Sequence, residues 1–260
     1  MKNRFLFLLL TLGLLVAASK PASRPTLYLI GDSTVRNGSG KGADRMWGWG
    51  SFLAEHFDTT RIAVRNHAIG GRSSRTFLTE GRWDKILSQL KPGDFVMMQF
   101  GHNDNGPLAD TARARGTLKG IGEESEEIYN PITKKREVVH TYGWYMRKYV
   151  KEAKAKGATP IVLSLVPRNQ WQNGKIIRGT GSYGTWAADV AKAENAYFID
   201  LNEIVAKKYD ALGDETKLKA TYFVEDHTHT NEAGAKLNAE SVIEGLRGLK
   251  KCSLNKYVKK

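Results

Sequence analysis

The chain has 260 residues, 41% hydrophobic and 26% charged, with 40 Lys and Arg against 27 Asp and Glu for a net charge of +13. Cys252 is the sole cysteine, which excludes an intramolecular disulfide framework and leaves stability to the core. The length suits one large α/β domain with a full core, and no Pro- or Ser-rich linker or internal repeat divides it.

The first segment reads as a leader. Lys2 and Arg4 make a basic start, Phe5 to Ala18 is apolar, and Val16-Ala17-Ala18 offers small residues for cleavage. That is a secretory signal peptide over residues 1–19, too short to match the ~20 residues of a bilayer span. The competing reading is an uncleaved anchor. The mature chain, residues 20–260, is expected to be one domain, periplasmic or secreted, with no stable membrane insertion. Its positive charge attracts polyanions such as uronate polymers, nucleic acid or anionic membranes. The basic residues are scattered, however, so a plain solvated surface is an equal reading.

Leu27-Tyr28-Leu29-Ile30 reads as a first strand, closed by Gly31-Asp32-Ser33-Thr34. Gly50 to Phe57 has helical spacing, and Arg61 to Asn66 reads as a second strand. Trp83 to Leu90 is helical and stops at Lys91-Pro92-Gly93, a breaker cluster. Asp94 to Phe100 is a buried third strand. Asn105 to His140 follows it, long, charged and weakly periodic. A loop of that length is functional or disordered, so a substrate-facing flap and a mobile solvated loop both stay open. Tyr142 to Lys156 is an amphipathic helix ending at Gly157, a helix C-cap residue. Pro160 to Leu165 is the fourth strand, Ala187 to Glu194 a helix, and Tyr197 to Ile199 the fifth strand. One more helix follows, and a final one runs from Asn231 towards Leu249. Strands alternating with helices predict a parallel sheet covered on both faces.

In such a sheet the carboxyl ends of the strands handle ligands, and polar blocks fall there. Ser33 follows the first strand. A serine hydroxyl needs an adjacent base to act as a nucleophile, and Gly-Asp-Ser alone is most often only a turn. No Gly-x-Ser-x-Gly elbow is present, which disfavours the ordinary α/β-hydrolase arrangement. The base is His229, three residues after Asp226, a spacing that brings side chains together on a helical turn. Asp226 would accept from Nδ1, leaving Nε2 to take the Ser33 proton. The competing reading makes Asp226 a cap of the final helix beside surface histidines; His227 is read as structural. Donors for a developing oxyanion are the Asn103 amide, the Gly71 N–H and the Ser33 N–H.

Six blocks carry a resemblance: GDSTV (31–35), WGWGSFL (47–53), NHAIGGRSSRTF (66–77), FGHND (100–104), HTYGWYMRKYV (140–150) and DHTHTNEAGA (226–235). They resemble the SGNH (GDSL-type) hydrolase superfamily and, more narrowly, the rhamnogalacturonan acetylesterases. The resemblance implies a three-layer α/β/α sandwich with a five-stranded parallel, flavodoxin-like sheet. It implies a triad of Ser33, Asp226 and His229, with Gly71 and Asn103 in the oxyanion hole, and neither cofactor nor metal. The implied partner is an acetylated acidic polysaccharide, deacetylated by a secreted monomer. Two departures stand out: fungal members carry disulfides, and the stretch after Asn105 is long.

Arg72, Arg75 and Arg168 lie beside strand ends and suit uronate carboxylates, although arginines there are more often solvated or ion-paired. Trp47, Trp49, Trp144 and Trp171 suit sugar stacking or, more commonly, packing. A related esterase on xylan, another acetylated sugar or a lipid would carry the same triad. A metal-dependent phosphoesterase would use the Asp-His-Thr-His block as ligands, but the first strand lacks an Asp-x-His pair, so the set is incomplete. A non-catalytic glycan-binding module has no need of the Asp226–His229 pair. Nucleic-acid binding has no motif to support it.

Overall fold

The structure is a computed structural model that describes residues 24–260, so the leader read over residues 1–19 lies outside the described residues. Strands β1 (Thr26–Gly31) and β2 (Ala63–Asn66) are followed by helices α1 (Ser74–Thr79) and α2 (Arg82–Leu87) and by strand β3 (Phe95–Gln99). A hairpin of β4 (Ser125–Asn130) and β5 (Lys135–His140) precedes helix α3 (Tyr142–Ala155) and strand β6 (Thr159–Leu163). The two-residue strands β7 (Trp171–Gln172) and β8 (Lys175–Ile176) lead to helix α4 (Tyr183–Ala193) and strand β9 (Tyr197–Ile199). Helices α5 (Leu201–Leu212), α6 (Glu215–Tyr222) and α7 (Glu232–Gly248) follow, and a 3-10 turn over Ser253–Tyr257 comes after them.

The five expected strands form one parallel sheet in the order β2-β1-β3-β6-β9. Successive side chains on a strand point to opposite faces. β1 therefore sends Leu27 and Leu29 into one layer and Tyr28 and Ile30 into the other, and β3 divides Met97 from Val96 and Met98 in the same way. The first layer packs on α5 and α7 through Val205, Tyr209, Ala239 and Val242. The second packs on α1 to α4 through Phe77, Trp83, Tyr149 and Ala187. Burial on both faces explains why the strands read as continuous apolar runs. Each large side chain removed from water contributes roughly 1.5–3 kcal/mol. The three-layer α/β/α sandwich read from the sequence is the fold observed.

Three readings change. Gly50 to Phe57 is not an α-helix but two 3-10 turns, Trp49–Ser51 and Leu53–His56. The Trp49 and Gly50 N–H groups donate to the carbonyls of Thr34 and Val35, at 3.0 and 2.9 Å, and the N–H groups of Ser51, Phe52, Glu55 and Phe57 each reach back three residues, the spacing of 3-10 turns. α1, absent from the sequence reading, is started by a Ser73–Thr76 capping box. Residues 105–140 are not structureless, because β4 and β5 pair antiparallel over their whole length.

Candidate active site

All five sheet strands end on the same side. β1 lies between β2 and β3, so the chain leaves it in opposite directions and opens a crevice at its carboxyl end. Ser33 sits there, 7% exposed. Its turn is closed by Asp32, whose Oδ1 accepts from the Thr34 N–H at 2.9 Å and from Thr34 Oγ1 at 2.8 Å. Thr34 Oγ1 accepts in turn from Gln99 Nε2 at 2.5 Å, and Gln99 Oε1 accepts from Trp49 Nε1 at 2.9 Å. Glycine is required at 48, where a Cβ would stand 2.3 Å from the Val35 carbonyl carbon. The WGWGS block therefore backs the serine turn; Trp49 is buried and does not face solvent.

The loop before α7 reaches the same crevice. His229 Nε2 lies 2.8 Å from Ser33 Oγ, and His229 Nδ1 lies 2.6 Å from Asp226 Oδ2. Asp226 Oδ1 accepts from the N–H groups of Thr228 and His229, each at 2.7 Å. Burial pushes the Asp226 carboxyl up, but its bonds to His229 and Thr228 outweigh this and hold it below its ordinary value. An ionised carboxylate only accepts, so Nδ1 carries the imidazole proton and Nε2 is free to accept from Ser33 Oγ–H. The cap of α7 is Asn231, which accepts from the Gly234 N–H at 3.0 Å, so Asp226 is not the helix cap.

Gly71 and Asn103 complete the rim. Gly71 has φ +77°, a left-handed conformation that favours glycine. Its carbonyl accepts from Arg115 Nη1 at 3.1 Å. Asn103 Nδ2 donates to the Arg72 carbonyl at 2.9 Å, which fixes the amide plane and leaves its second N–H unused. Among the described residues, the Ser33 and Gly71 N–H groups donate to no backbone carbonyl. Ser33, Gly71, Asn103 and His229 line one cavity of about 690 Å³.

Two groups escaped the sequence reading: His102, which lines the cavity with its ring nitrogens buried, and Asp104, which is fully buried. Burial drives the His102 imidazole down to about 4 and the Asp104 carboxyl up to about 7. Asp104 Oδ1 accepts from the Ser74 N–H at 3.0 Å and Ser74 Oγ at 2.5 Å. Their signal was the Gly-His-Asn-Asp run itself, of which only Asn103 was singled out.

The arginines and tryptophans are redistributed. Arg75 is fully buried and forks onto Glu137 at 2.7 Å through both Nε and Nη2, so it pins the β4–β5 hairpin and is no substrate contact. Arg72 and Arg168 do line the cavity, joined by Arg113 and Arg115 of the 105–140 stretch, and Ile132 at the hairpin tip reaches it too. That stretch therefore walls the site, as a flap would. His227 Nε2 faces Arg168 Nη1 at 3.1 Å and takes no part in the serine relay. Trp144 stacks on His140 at 3.9 Å, and Trp171 Nε1 donates to Asn169 Oδ1 at 2.7 Å; none of the four tryptophans lines the cavity. Among the described residues no three His, Cys, Asp or Glu side chains converge as a metal-ligating group.

Comparison with known proteins matches residues 29–237 to the GDSL-like lipase/acylhydrolase family. The chain is 32% identical to a rhamnogalacturonan acetylesterase of Emericella nidulans over 85% of its length and 84% of that protein. It is 33% identical to the probable rhamnogalacturonan acetylesterase YesY of Bacillus subtilis, over 86% and 93% of the two chains. The crystal structure of protein YxiM from Bacillus subtilis superimposes with a TM-score of 0.71 at 28% identity, covering 90% of this chain and 59% of that longer one.

Proposed function

The chain belongs to the GDSL-like lipase/acylhydrolase family and is a carboxylic ester hydrolase; from that premise we propose that it is a secreted serine esterase removing O-acetyl groups from pectic polysaccharide, rhamnogalacturonan first. The observation that carries this reading is the relay from Asp226 through His229 to Ser33, with spacings of 2.6 and 2.8 Å. It opens into the cavity beside Gly71 and Asn103. The rhamnogalacturonan acetylesterases of Emericella and Bacillus, similar over most of the chain, support the substrate. The apolar run at residues 5–18, read as part of a signal peptide, supports export.

In this reading His229 Nε2 takes the Ser33 hydroxyl proton as Oγ attacks the acetyl carbonyl carbon. The carbonyl oxygen becomes an oxyanion, received by the Ser33 and Gly71 N–H groups and the free Asn103 amide N–H. The intermediate collapses as His229 returns the proton to the sugar oxygen, releasing the sugar hydroxyl and leaving acetyl-Ser33. Water then attacks that ester, giving one proton to His229. His229 restores it to Ser33 Oγ, and acetate leaves. Asp226 holds the imidazole in the working tautomer and stabilises its charged form.

Acetate release from acetylated rhamnogalacturonan, homogalacturonan, xylan and a small aryl acetate tests both parts. The expected result is highest kcat/KM on rhamnogalacturonan, with all activity lost in a folded Ser33→Ala variant. Wild-type turnover by that variant ends the serine reading. Equal kcat/KM on xylan and rhamnogalacturonan removes the pectic assignment.

A further inference from the structure

Four guanidinium groups face the Ser33 cavity, those of Arg72, Arg113, Arg115 and Arg168, against one carboxylate, Glu80. Glu80 is already engaged by Arg72 at 3.1 Å and Arg82 at 2.5 Å. Several arginines drawn in from solvent elsewhere hold carboxylates: Arg75 holds Glu137, Arg147 holds Glu123, and Arg178 holds Glu203 and Asp210; Arg36, bonded to the carbonyls of Asn66 and Ser39, is an exception. The other three cavity arginines do not. Arg115 donates to the Gly71 carbonyl at 3.1 Å. Arg168 faces the His227 ring at 3.1 Å and donates to the His102 carbonyl at 3.4 Å. Arg113 donates only through its backbone N–H, to Asp110 at 2.6 Å.

Two of these charges also converge. The Nη1 atoms of Arg115 and Arg113 lie 3.7 and 4.0 Å from the point a Cβ on Gly71 would occupy. Burial and the neighbouring Arg113 charge both push the Arg115 guanidinium down. No carboxylate bonds either guanidinium, and the nearby Asp104, Asp32 and Asp110 offset the downward push only in part; a cleft of one sign concentrates ligands of the other. Planar guanidinium forks match a carboxylate in both charge and shape.

We propose that Arg113 and Arg115, with Arg168 of the same cavity, form a subsite for the free carboxylate of a uronate unit in the acetylated polymer. This rests on the esterase reading above and adds the residues that choose the substrate. The site takes the ionised acid and rejects its methyl ester, which has neither the charge nor a second anionic oxygen. Wherever the polymer is methyl-esterified, hydrolysis of that ester must therefore come before deacetylation here. The triad supplies the chemistry, and the 105–140 stretch supplies the choice.

Arg113→Gln tests this most cleanly, because the exposed side chain holds no other part of the fold. Three substrates are compared: acetylated rhamnogalacturonan with free carboxylates, the same polymer with its carboxyls methyl-esterified, and a neutral aryl acetate. The wild type is expected to prefer the free-acid polymer to its methyl ester by about tenfold or more, the usual weight of one charged hydrogen bond. Arg113→Gln should cut kcat/KM on the free acid by a similar factor, mainly through KM, and narrow the ratio between the two polymers. Arg113→Lys should recover part of it, and added salt should weaken the wild type more than Arg113→Gln. Equal wild-type turnover of the two polymers overturns the proposal, as does an Arg113→Gln loss of the same size on all three substrates. Either result with Ser33→Ala still inactive leaves the esterase reading standing; an active Ser33→Ala removes that reading instead.

Discussion

Around Ser33 the chain is held by close backbone approaches and a run of short side-chain hydrogen bonds. Gly48 and Gly50 bring one segment against Val35 at distances no Cβ permits, and the Asp32–Thr34–Gln99–Trp49 chain of hydrogen bonds closes the turn from behind. The 105–140 stretch, which lines the same cavity, is tied to the helices by long arginine side chains in addition to its backbone bonds. Arg75 of α1 reaches Glu137 and the carbonyls of Leu108 and Gly116, at 3.0 and 2.8 Å for the last two. Arg147 of α3 bonds the carbonyls of Ile121 and Gly122. Covalent chemistry tolerates little misplacement, since an error of about 1 Å can cost 10²-fold. A specificity wall tolerates more. On the proposed reading, the tightly packed rim does the chemistry and the arginine-anchored wall the choosing.

The rim is broken most severely at Asp226. Asparagine keeps an oxygen for the Thr228 and His229 N–H groups but turns an amide towards His229 Nδ1. The ring then adopts the tautomer with its proton on Nε2, facing Ser33, where it cannot act as a base. In the serine-protease template this costs about 10⁴ in kcat. Asp226→Asn should show a loss of that order on the aryl acetate with the thermal midpoint nearly kept. A kcat within tenfold of wild type would mean that His229 is oriented by something other than this carboxylate.

The wall is broken at Arg75. Arg75→Met leaves Glu137 half-buried with only Asn130, at 2.7 Å, as its partner. Removing one member of a buried pair costs about 3–5 kcal/mol, read as a shift in the urea midpoint. Polymer turnover should fall further than aryl acetate turnover, because the wall loosens while the rim stays. A stability loss below about 1 kcal/mol would show that the hairpin is positioned without this ion pair.

The same division explains what was legible in the sequence. Strands buried on both faces, and the Gly-Asp-Ser, Gly-Gly and Asp-His-Thr-His blocks that follow or face them, are local patterns with short-range causes. Five strands and the grouping of Ser33, Gly71, Asn103, Asp226 and His229 could be read from them. The wall depends on contacts such as Arg75–Glu137, 62 positions apart, which no local pattern encodes. Arg75 accordingly looked like a ligand and Arg113 and Arg115 passed unnoticed. The Ser73–Thr76 box of α1 was visible, but with threonine in place of the usual glutamate or glutamine. The 3-10 turns at 49–56 were hidden because the segment is fixed at its start by the Thr34 and Val35 carbonyls, a contact that its own spacing does not show.

The smallest effect comes from the seam where rim and wall meet. Asp104 follows β3, and its carbonyl accepts from the Thr117 N–H at 2.9 Å. Its carboxyl is fully buried, with Oδ2 lacking any partner. Burial raises it to about 7, against the pull of the Ser74 bonds and with a further push from the Asp32 carboxylate. Between about pH 4 and 7 the folded protein thus keeps a proton that the unfolded chain has lost, so this group lowers stability as pH rises. His102 has the opposite sign. Its buried ring stays neutral down to about pH 4, while the unfolded chain takes up a proton below ~6.5, so this group raises stability as pH rises through that window. The two slopes oppose each other in the wild type. Asp104→Asn removes one and exposes the other. The stability of Asp104→Asn minus that of wild type should therefore climb from pH 4 to 7, by at most about 1.4 kcal/mol per pH unit. Urea midpoints taken across that range measure it. A difference that stays flat would mean that Asp104 is ionised in the folded protein throughout, and that the rim and the wall meet over a buried charge.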